Sequence, residues 1–271
     1  MKNKSLSAIV GIQEDSYGNL KRVQYILAQV KKYGLIDKSV LEIGCGSGDN
    51  ISIPLSLCGL SVAGIDIDGD SIEYAKKLRS FKGIANVKFL NIDICEIETN
   101  SYETIVCSEV LEHLIEPRLM IKEISRVLKP NGVVIITVPN GYGPYELGQF
   151  IAKKYEEEIK PWLKSKNIHK YLSYFMQKLY LGKRNRDLIP GGTLNKDCPH
   201  IQNFSFNKLR KLLHEEGFIF TDAIGRTFLS GWLMTEMIER SERLIELNCL
   251  LATYLPLFMC SGWLITAMKY R

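Results

Sequence analysis

The residues of this chain that could do chemistry fall into two groups. The first is acidic and imidazole-bearing: Glu109, Glu112, His113 and Glu116 in EVLEHLIE, at i, i+3, i+4 and i+7, with His200 far downstream in CPHIQNFS. On a helix the first four would share one face. Glu109, His113 and His200, with His169 as a further imidazole, are the candidates for a base that accepts a proton from a hydroxyl. Glu109, Glu112, His113 and His200 are also a mixed oxygen and nitrogen set of the kind that suits magnesium, manganese or zinc. A solvated acidic stripe explains the same residues without a metal, and none is assigned from sequence.

The second group is glycine-rich. In VLEIGCGSGDN a strand-like run, Ser39 to Ile43, breaks into Gly44, Gly46 and Gly48 and then into a helix start. Backbone that must turn tightly and approach a nucleotide-shaped cofactor needs residues without a Cβ. A dinucleotide fingerprint would space its third glycine one place later. Glu42 stands just before the loop. Asp66 closes the next strand candidate, where a carboxylate can accept ribose hydroxyls, and Asp93 closes the third, where a second acid could meet an adenine amino group.

The elements that must position these groups are legible as an alternation. Strand candidates SVLEI, SVAGID, VKFLNID, ETIVCS and VVIITVP are separated by helix candidates over 50–58, 71–80 and 118–128. Near-continuous apolar strands alternating with helices predict an α/β fold, a doubly wound, mostly parallel sheet. After Gly141 the alternation stops. Residues 141–204 read as a helical insertion, with Ile168, Tyr171, Leu172, Phe175 and Leu179 at helical spacing. It holds eleven Lys or Arg against six Asp or Glu, an excess equal to the net +5 of the whole chain. The core is therefore expected over 1–140 and 205–271, with 141–204 as a lid over an acceptor site. Beyond it SFNKLRKLLHEEGF reads as a helix capped by Ser205 and ended at Gly217, followed by the strand-like FIFTDAIG.

The 271 residues, 46% hydrophobic and 24% charged, suit one buried core plus a lid. Seven cysteines without a CxxC pair read as reduced core thiols, and the N-terminal stretch lacks the apolar core of a signal peptide; both point to the cytoplasm. Leu247 to Met268 carries no charge and is long enough to span a bilayer. Pro256 and Gly262 divide it, so the expectation is a buried helix, a turn and a last strand.

In order and spacing, VLEIGCGSG, GIDID, NIDI, VCSEVLEHL and LKPNGVVIITVPN resemble the class I S-adenosylmethionine-dependent methyltransferases, in the branch that includes ubiquinone-biosynthesis O-methyltransferases and small-molecule and sugar methyltransferases. The resemblance implies a Rossmann-like sheet of seven strands, the last antiparallel, with the helical insertion after strand 5, and S-adenosyl-L-methionine as cofactor. It further implies that Glu42, Gly44 and Gly46, with Gly48 in the same loop, hold the methionine end. Asp66 would hold the ribose and Asp93 the adenine, with Ile67 and Ile94 flanking the adenine faces. Small-RNA 2'-O-methyltransferases are similar at ExxEH with a later histidine and hold a divalent cation there, whereas many methyltransferases carry EVLEH without one. The expected activity is methyl transfer to a hydroxyl of a small molecule, sugar or lipid-linked intermediate, and the basic lid suits an acidic or lipid-linked acceptor. Two alternatives stand beside it. One is an RNA or protein methyltransferase, although no RNA-binding module accompanies the lid. The other is a noncatalytic cofactor-binding protein, or one that contacts a membrane surface through the helix over 168–179.

Overall fold

A computed structural model describes residues 3–159, 161–162, 200–231 and 234–270. Seven strands form one sheet: β1 Ser39–Ile43, β2 Ser61–Asp66, β3 Val87–Asn91, β4 Tyr102–Ser108, β5 Leu128–Pro139, β6 Phe218–Gly225 and β7 Gly262–Lys269. Their order is β3-β2-β1-β4-β5-β7-β6. β7 runs antiparallel to both neighbours, and the other pairings are parallel. The doubly wound, mostly parallel architecture anticipated from the alternation is the one observed.

Side-chain alternation along the strands builds two cores. Val40 and Val106 face one core with Val23 and Ile26 of α2 (Asn19–Lys32), behind the short α1 (Asn3–Val10), and with Ile53 and Leu55 of α3 (Ser52–Leu57) and Ile72 of α4 (Gly69–Phe81). Leu41, Ile105 and Cys107 face the other with Ile121 and Ile124 of α5 (Pro117–Val127). Leu209 and Leu213 join that second core from α7 (Phe206–Glu215), which lies beyond α6 (Pro144–Lys154) in the chain. Burial on both faces explains why the central strands read as unbroken Val and Ile runs.

This topology sets the site. The carboxyl ends of β1, β2, β3, β4 and β5 open on one edge, with the order reversing between β1 and β4, which is where ligands of open α/β sheets bind. The antiparallel β7 restores β6 to the direction of β5, so the residue after β6, Arg226, arrives at the same edge.

Three expectations are corrected. EVLEHL is not a helix: Glu109 has φ +54°, only Leu111–His113 makes a 3-10 turn, and the chain is extended again at Leu114. The four residues therefore do not share a helical face, and Glu116 instead precedes Pro117 as the N-cap of α5. The uncharged run does divide at Pro256, but its first part belongs to a surface helix. After α8 (Met234–Ile238), α9 (Glu242–Tyr254) buries Ile245, Asn248, Cys249 and Ala252 and exposes Leu244, Leu247, Leu250 and Tyr254. No helix among the described residues is long and apolar enough to cross a membrane. The six cysteines described are free, but Cys95 is exposed rather than buried. Of the insertion, α6 and a π turn at Tyr155–Ile159 are described; His169 and the amphipathic stretch over 168–179 lie outside the described residues.

Candidate active site

The glycine loop is a left-handed turn at each of its glycines, with φ of +67° at Gly44, +52° at Gly46 and +73° at Gly48. A Cβ at Gly44 would lie 2.5 Å from Cγ2 of Val110, and one at Gly48 would lie 2.4 Å from Cζ of Phe89. The loop can therefore pack against the end of β4 and the side chain of β3 only without side chains of its own. Asp66 locks the loop: one carboxylate oxygen accepts the Gly46 amide at 2.7 Å and the other the Asp68 amide at 2.9 Å. Glu42 is buried on the α3 side, where the Ser52 hydroxyl donates to it. Burial pushes its carboxyl up to about 8, only partly opposed by that hydroxyl.

Asp93 caps the turn Ile94–Glu96, accepting the Cys95 amide at 2.8 Å while Glu96 accepts the Asp93 amide. That amide lowers its pKa. Ile67 stands 78% exposed at the rim. Ile94 differs: it is 3% exposed and packed into the second core, so it offers no open face to a ligand.

On the other side of the switch point, Glu109 is held by Thr137 and Arg226. Its left-handed backbone lets its amide donate to the Thr137 carbonyl at 2.9 Å while its carboxylate accepts the Thr137 hydroxyl at 2.9 Å and Arg226 Nη1 at 2.5 Å. Arg22 joins through Ser108, to which it donates at 3.0 Å, and Ser108 lies 2.8 Å from the Thr137 hydroxyl. Burial opposes ionisation of Glu109, but Arg226 and Arg22 prevail and hold its carboxyl at about 2. A group so acidic is a poor proton acceptor near neutral pH.

Glu112, His113 and His200 do come together, with one ligand atom of each within 4.8 Å of the others. The Glu112 carbonyl accepts the amides of Ile201 and Gln202 at 2.8 and 2.9 Å, which pins the returning chain and brings His200 to a ring-centroid distance of 5.1 Å from His113. Glu112 is 0% exposed, and neither of its carboxylate oxygens makes a hydrogen bond, the nearest basic atom being His113 Nε2 at 3.9 Å from Oε1. Burial, then the nearby Glu109, raise its pKa well above the ordinary carboxylate value. Burial and His113 lower that of His200. A buried carboxylate without donors beside two imidazoles fits a divalent cation.

A cavity of about 130 Å³ adjoins this cluster, and Glu109, His200, Tyr17, Tyr145 and Arg226 are among its lining residues. Sequence reading missed Arg22, Arg226 and Tyr17. Arg226 meets Glu109 across 117 positions of chain, so no motif joins them. The nearest local signal is Gly18, at φ +71°, where a Cβ would lie 3.0 Å from Cγ of Arg226.

A family profile described as a methyltransferase domain matches residues 36–217. A ubiquinone biosynthesis O-methyltransferase from Rickettsia prowazekii is 32% identical over 156 residues, 56% of this chain and 60% of that protein. The chain thus spans less than two thirds of the length of such relatives; for the Rickettsia canadensis protein of the same name the share is 64%. Among solved structures, a SAM-dependent methyltransferase from Methanosarcina mazei shares the fold at a TM-score of 0.55 and 21% identity, covering 89% of this chain and 96% of that one. The magnesium protoporphyrin IX methyltransferase of Synechocystis, solved with bound SAH, shares it at 0.53 and 18%, covering 92% and 82%.

Proposed function

The chain belongs to the class I S-adenosylmethionine-dependent methyltransferases, whose cofactor is S-adenosyl-L-methionine, and on that premise we propose that it methylates a hydroxyl of a small-molecule acceptor seated in the cavity beside Glu109 and His200. The cofactor supplies an already activated methyl group, so the chain's task is to align donor and acceptor and to exclude water. Gly44, Gly46 and Gly48 give the methionine end a backbone it can approach, with Glu42 beneath them. Each oxygen of Asp66 has accepted one amide and keeps a lone pair for a ribose hydroxyl. Asp93, fixed by its own cap, receives the adenine amino group, and Ile67 covers the ring. Ile94 supports that end of the sheet from within the core and is withdrawn as an adenine contact.

The observation that carries the catalytic half is Glu112, with two buried carboxylate oxygens that make no hydrogen bond beside His113 and His200. These three residues would hold a divalent cation, which lowers the pKa of a hydroxyl brought to it. His113 and His200 then enter as ligands. Glu109, clamped by Arg226 and Thr137, is a positioning group rather than the base. The name of the Rickettsia relatives supports oxygen as the methylated atom.

The test has two arms. Manganese titrated calorimetrically into the chelator-treated protein should bind at one site and fail to bind Glu112→Gln. Methyl transfer to 1,2-dihydroxybenzene should vanish on chelation and return with magnesium or manganese. Full turnover in chelator, with no manganese binding, removes the cation and leaves His200 as the base to be tested next.

A further inference from the structure

Two hydroxyls stand between an arginine and a carboxylate at the ends of β4 and β5, and the chemistry of those two groups decides which way each hydroxyl points. Arg22 Nη1 reaches Ser108 Oγ at 3.0 Å, Ser108 Oγ lies 2.8 Å from Thr137 Oγ1, and Thr137 Oγ1 lies 2.9 Å from Glu109 Oε1. Ser108 and Thr137 are register partners across the two strands, which puts their side chains on one face of the sheet. A guanidinium can only donate, and an ionised carboxylate can only accept. Arg226 and Arg22 keep Glu109 ionised. Thr137 therefore commits its one proton to Glu109, and Ser108 donates to Thr137 while accepting from Arg22. The result is a one-way chain of donors that ends on the carboxylate. Ser108 is 8% exposed and Thr137 0%, so water does not compete for these bonds, and in such surroundings successive hydrogen bonds strengthen one another.

What the chain of donors holds is a backbone conformation. Glu109 has φ +54°, a region that side chains with a Cβ seldom adopt. Thr137 fastens it twice, its carbonyl accepting the Glu109 amide at 2.9 Å and its hydroxyl donating to the carboxylate. From this left-handed residue the chain leaves β4 and enters the turn Leu111–His113, which carries Glu112 and His113. The Glu112 carbonyl in turn pins Ile201 and Gln202, next to His200. The three groups of the cluster thus depend on a conformation that side-chain hydrogen bonds maintain.

Resting on the cation reading proposed above, we infer that Ser108 and Thr137 are positioning residues: Ser108 orients the Thr137 proton, Thr137 holds Glu109 left-handed, and Glu109 thereby sets the spacing of Glu112, His113 and His200.

The test reads both ends of the relay in the full chain, by hydrogen exchange over residues 109–114 with mass spectrometry and by calorimetric titration of manganese. Thr137→Val keeps the shape of the side chain and removes the hydroxyl. It should speed exchange over 109–114 and weaken manganese binding, each by about tenfold, the order expected for a lost hydrogen bond to a charged group. Exchange in β1 and β2 should not change. Thr137→Ser, which keeps the hydroxyl and loses the methyl, should restore both readouts to near the wild-type values. Ser108→Ala should shift both readouts in the same direction by about threefold, and should add nothing in the Thr137→Val background, because it acts through Thr137. Wild-type behaviour of Thr137→Val, failure of Thr137→Ser to restore, or additive effects of the two substitutions overturns the inference. If Thr137→Val does not fold, Ser108→Ala decides: faster exchange over 109–114 supports the relay, and unchanged exchange overturns it. If the wild type binds no manganese, the cation reading fails by itself and the exchange measurements alone decide whether the relay holds the turn.

Discussion

The two halves of the edge above the sheet are built on opposite principles. On the β1, β2 and β3 side, the charged groups we assign to the cofactor are already partnered inside the protein. Asp66 holds two amides, Asp93 caps its own turn, and Glu42 takes the Ser52 hydroxyl. On the β4, β5 and β6 side, both Glu112 carboxylate oxygens, Arg226 Nε and Ser230 Oγ are buried without a hydrogen bond. The first half is a preformed cradle whose shape survives without ligand. The second leaves polar groups dehydrated and unpaired, a cost of about 1–3 kcal/mol for each such group, which binding would relieve. Rigidity lies on the side we assign to the cofactor, and unmet hydrogen bonding on the side we assign to the acceptor.

If that contrast is right, substitutions on the two sides should fail differently. The largest effect is expected at Arg226→Gln, which leaves Glu109 as a half-buried carboxylate linked to Arg22 through Ser108 and Thr137. Removing one partner of a fully buried pair costs about 3–5 kcal/mol, and because water reaches part of Glu109 the loss in thermal or urea unfolding should lie at the low end, about 3 kcal/mol. The protein that remains folded should keep its cofactor affinity within a few-fold, as read by calorimetry. A loss of cofactor affinity equal to the loss of stability would erase the distinction between the halves.

Gly48→Ala strikes the cradle instead. A Cβ there meets the Phe89 ring at 2.4 Å in a left-handed backbone conformation. Crowding of this kind typically costs about 1–3 kcal/mol, with the strain of a non-glycine at positive φ added. Unfolding should report roughly 2–3 kcal/mol in sum, and S-adenosylhomocysteine binding should weaken by more than tenfold while manganese binding to Glu112, His113 and His200 is unaltered. Parallel loss of both ligands would show the halves to be one cooperative unit.

The same contrast explains what could be read from sequence. The cradle is local: its glycines follow one strand within five positions, Asp66 and Asp93 each end a strand, and β propensity with alternation placed all three strands. The acceptor half is not. EVLEHL looks helical by spacing, yet the ion pair to Arg226 and the Thr137 contact favour a left-handed Glu109 over the first helical turn. Arg226 could not be paired with Glu109 from sequence because the antiparallel turn of β7 brings them together, and Ser230 carries no motif. The burial of Ile94 is ambiguous in sequence for a smaller reason. An apolar residue next to a ligand acid can face either the ligand or the core, and here the core cluster around Leu41 and Ile43 takes it.

The smallest effect, and the sharpest test of the cradle, concerns a proton. Glu42 has a folded pKa of about 8 against an ordinary 4.5. Between those values the native protein keeps a proton that the unfolded chain has lost, so this group's contribution to stability is greatest below about 4.5 and falls as pH rises to about 8, by at most about 1.4 kcal/mol per pH unit. Glu14, raised to about 7 by burial, adds a fall of the same sign that ends lower. Glu42→Gln should therefore reduce the slope from pH 7 to 8 without abolishing it, because Glu112, also raised by burial, contributes a fall of the same sign. A bound cofactor brings a positively charged ammonium toward the same carboxyl and should favour its ionised form. At pH 7, S-adenosylmethionine binding should then release part of a proton, seen as a binding enthalpy that differs between phosphate and Tris buffers. Glu42→Gln should abolish that difference. Buffer-independent enthalpy in the wild type would mean that Glu42 stays protonated beneath the loop, serving α3 through Ser52 rather than the ligand.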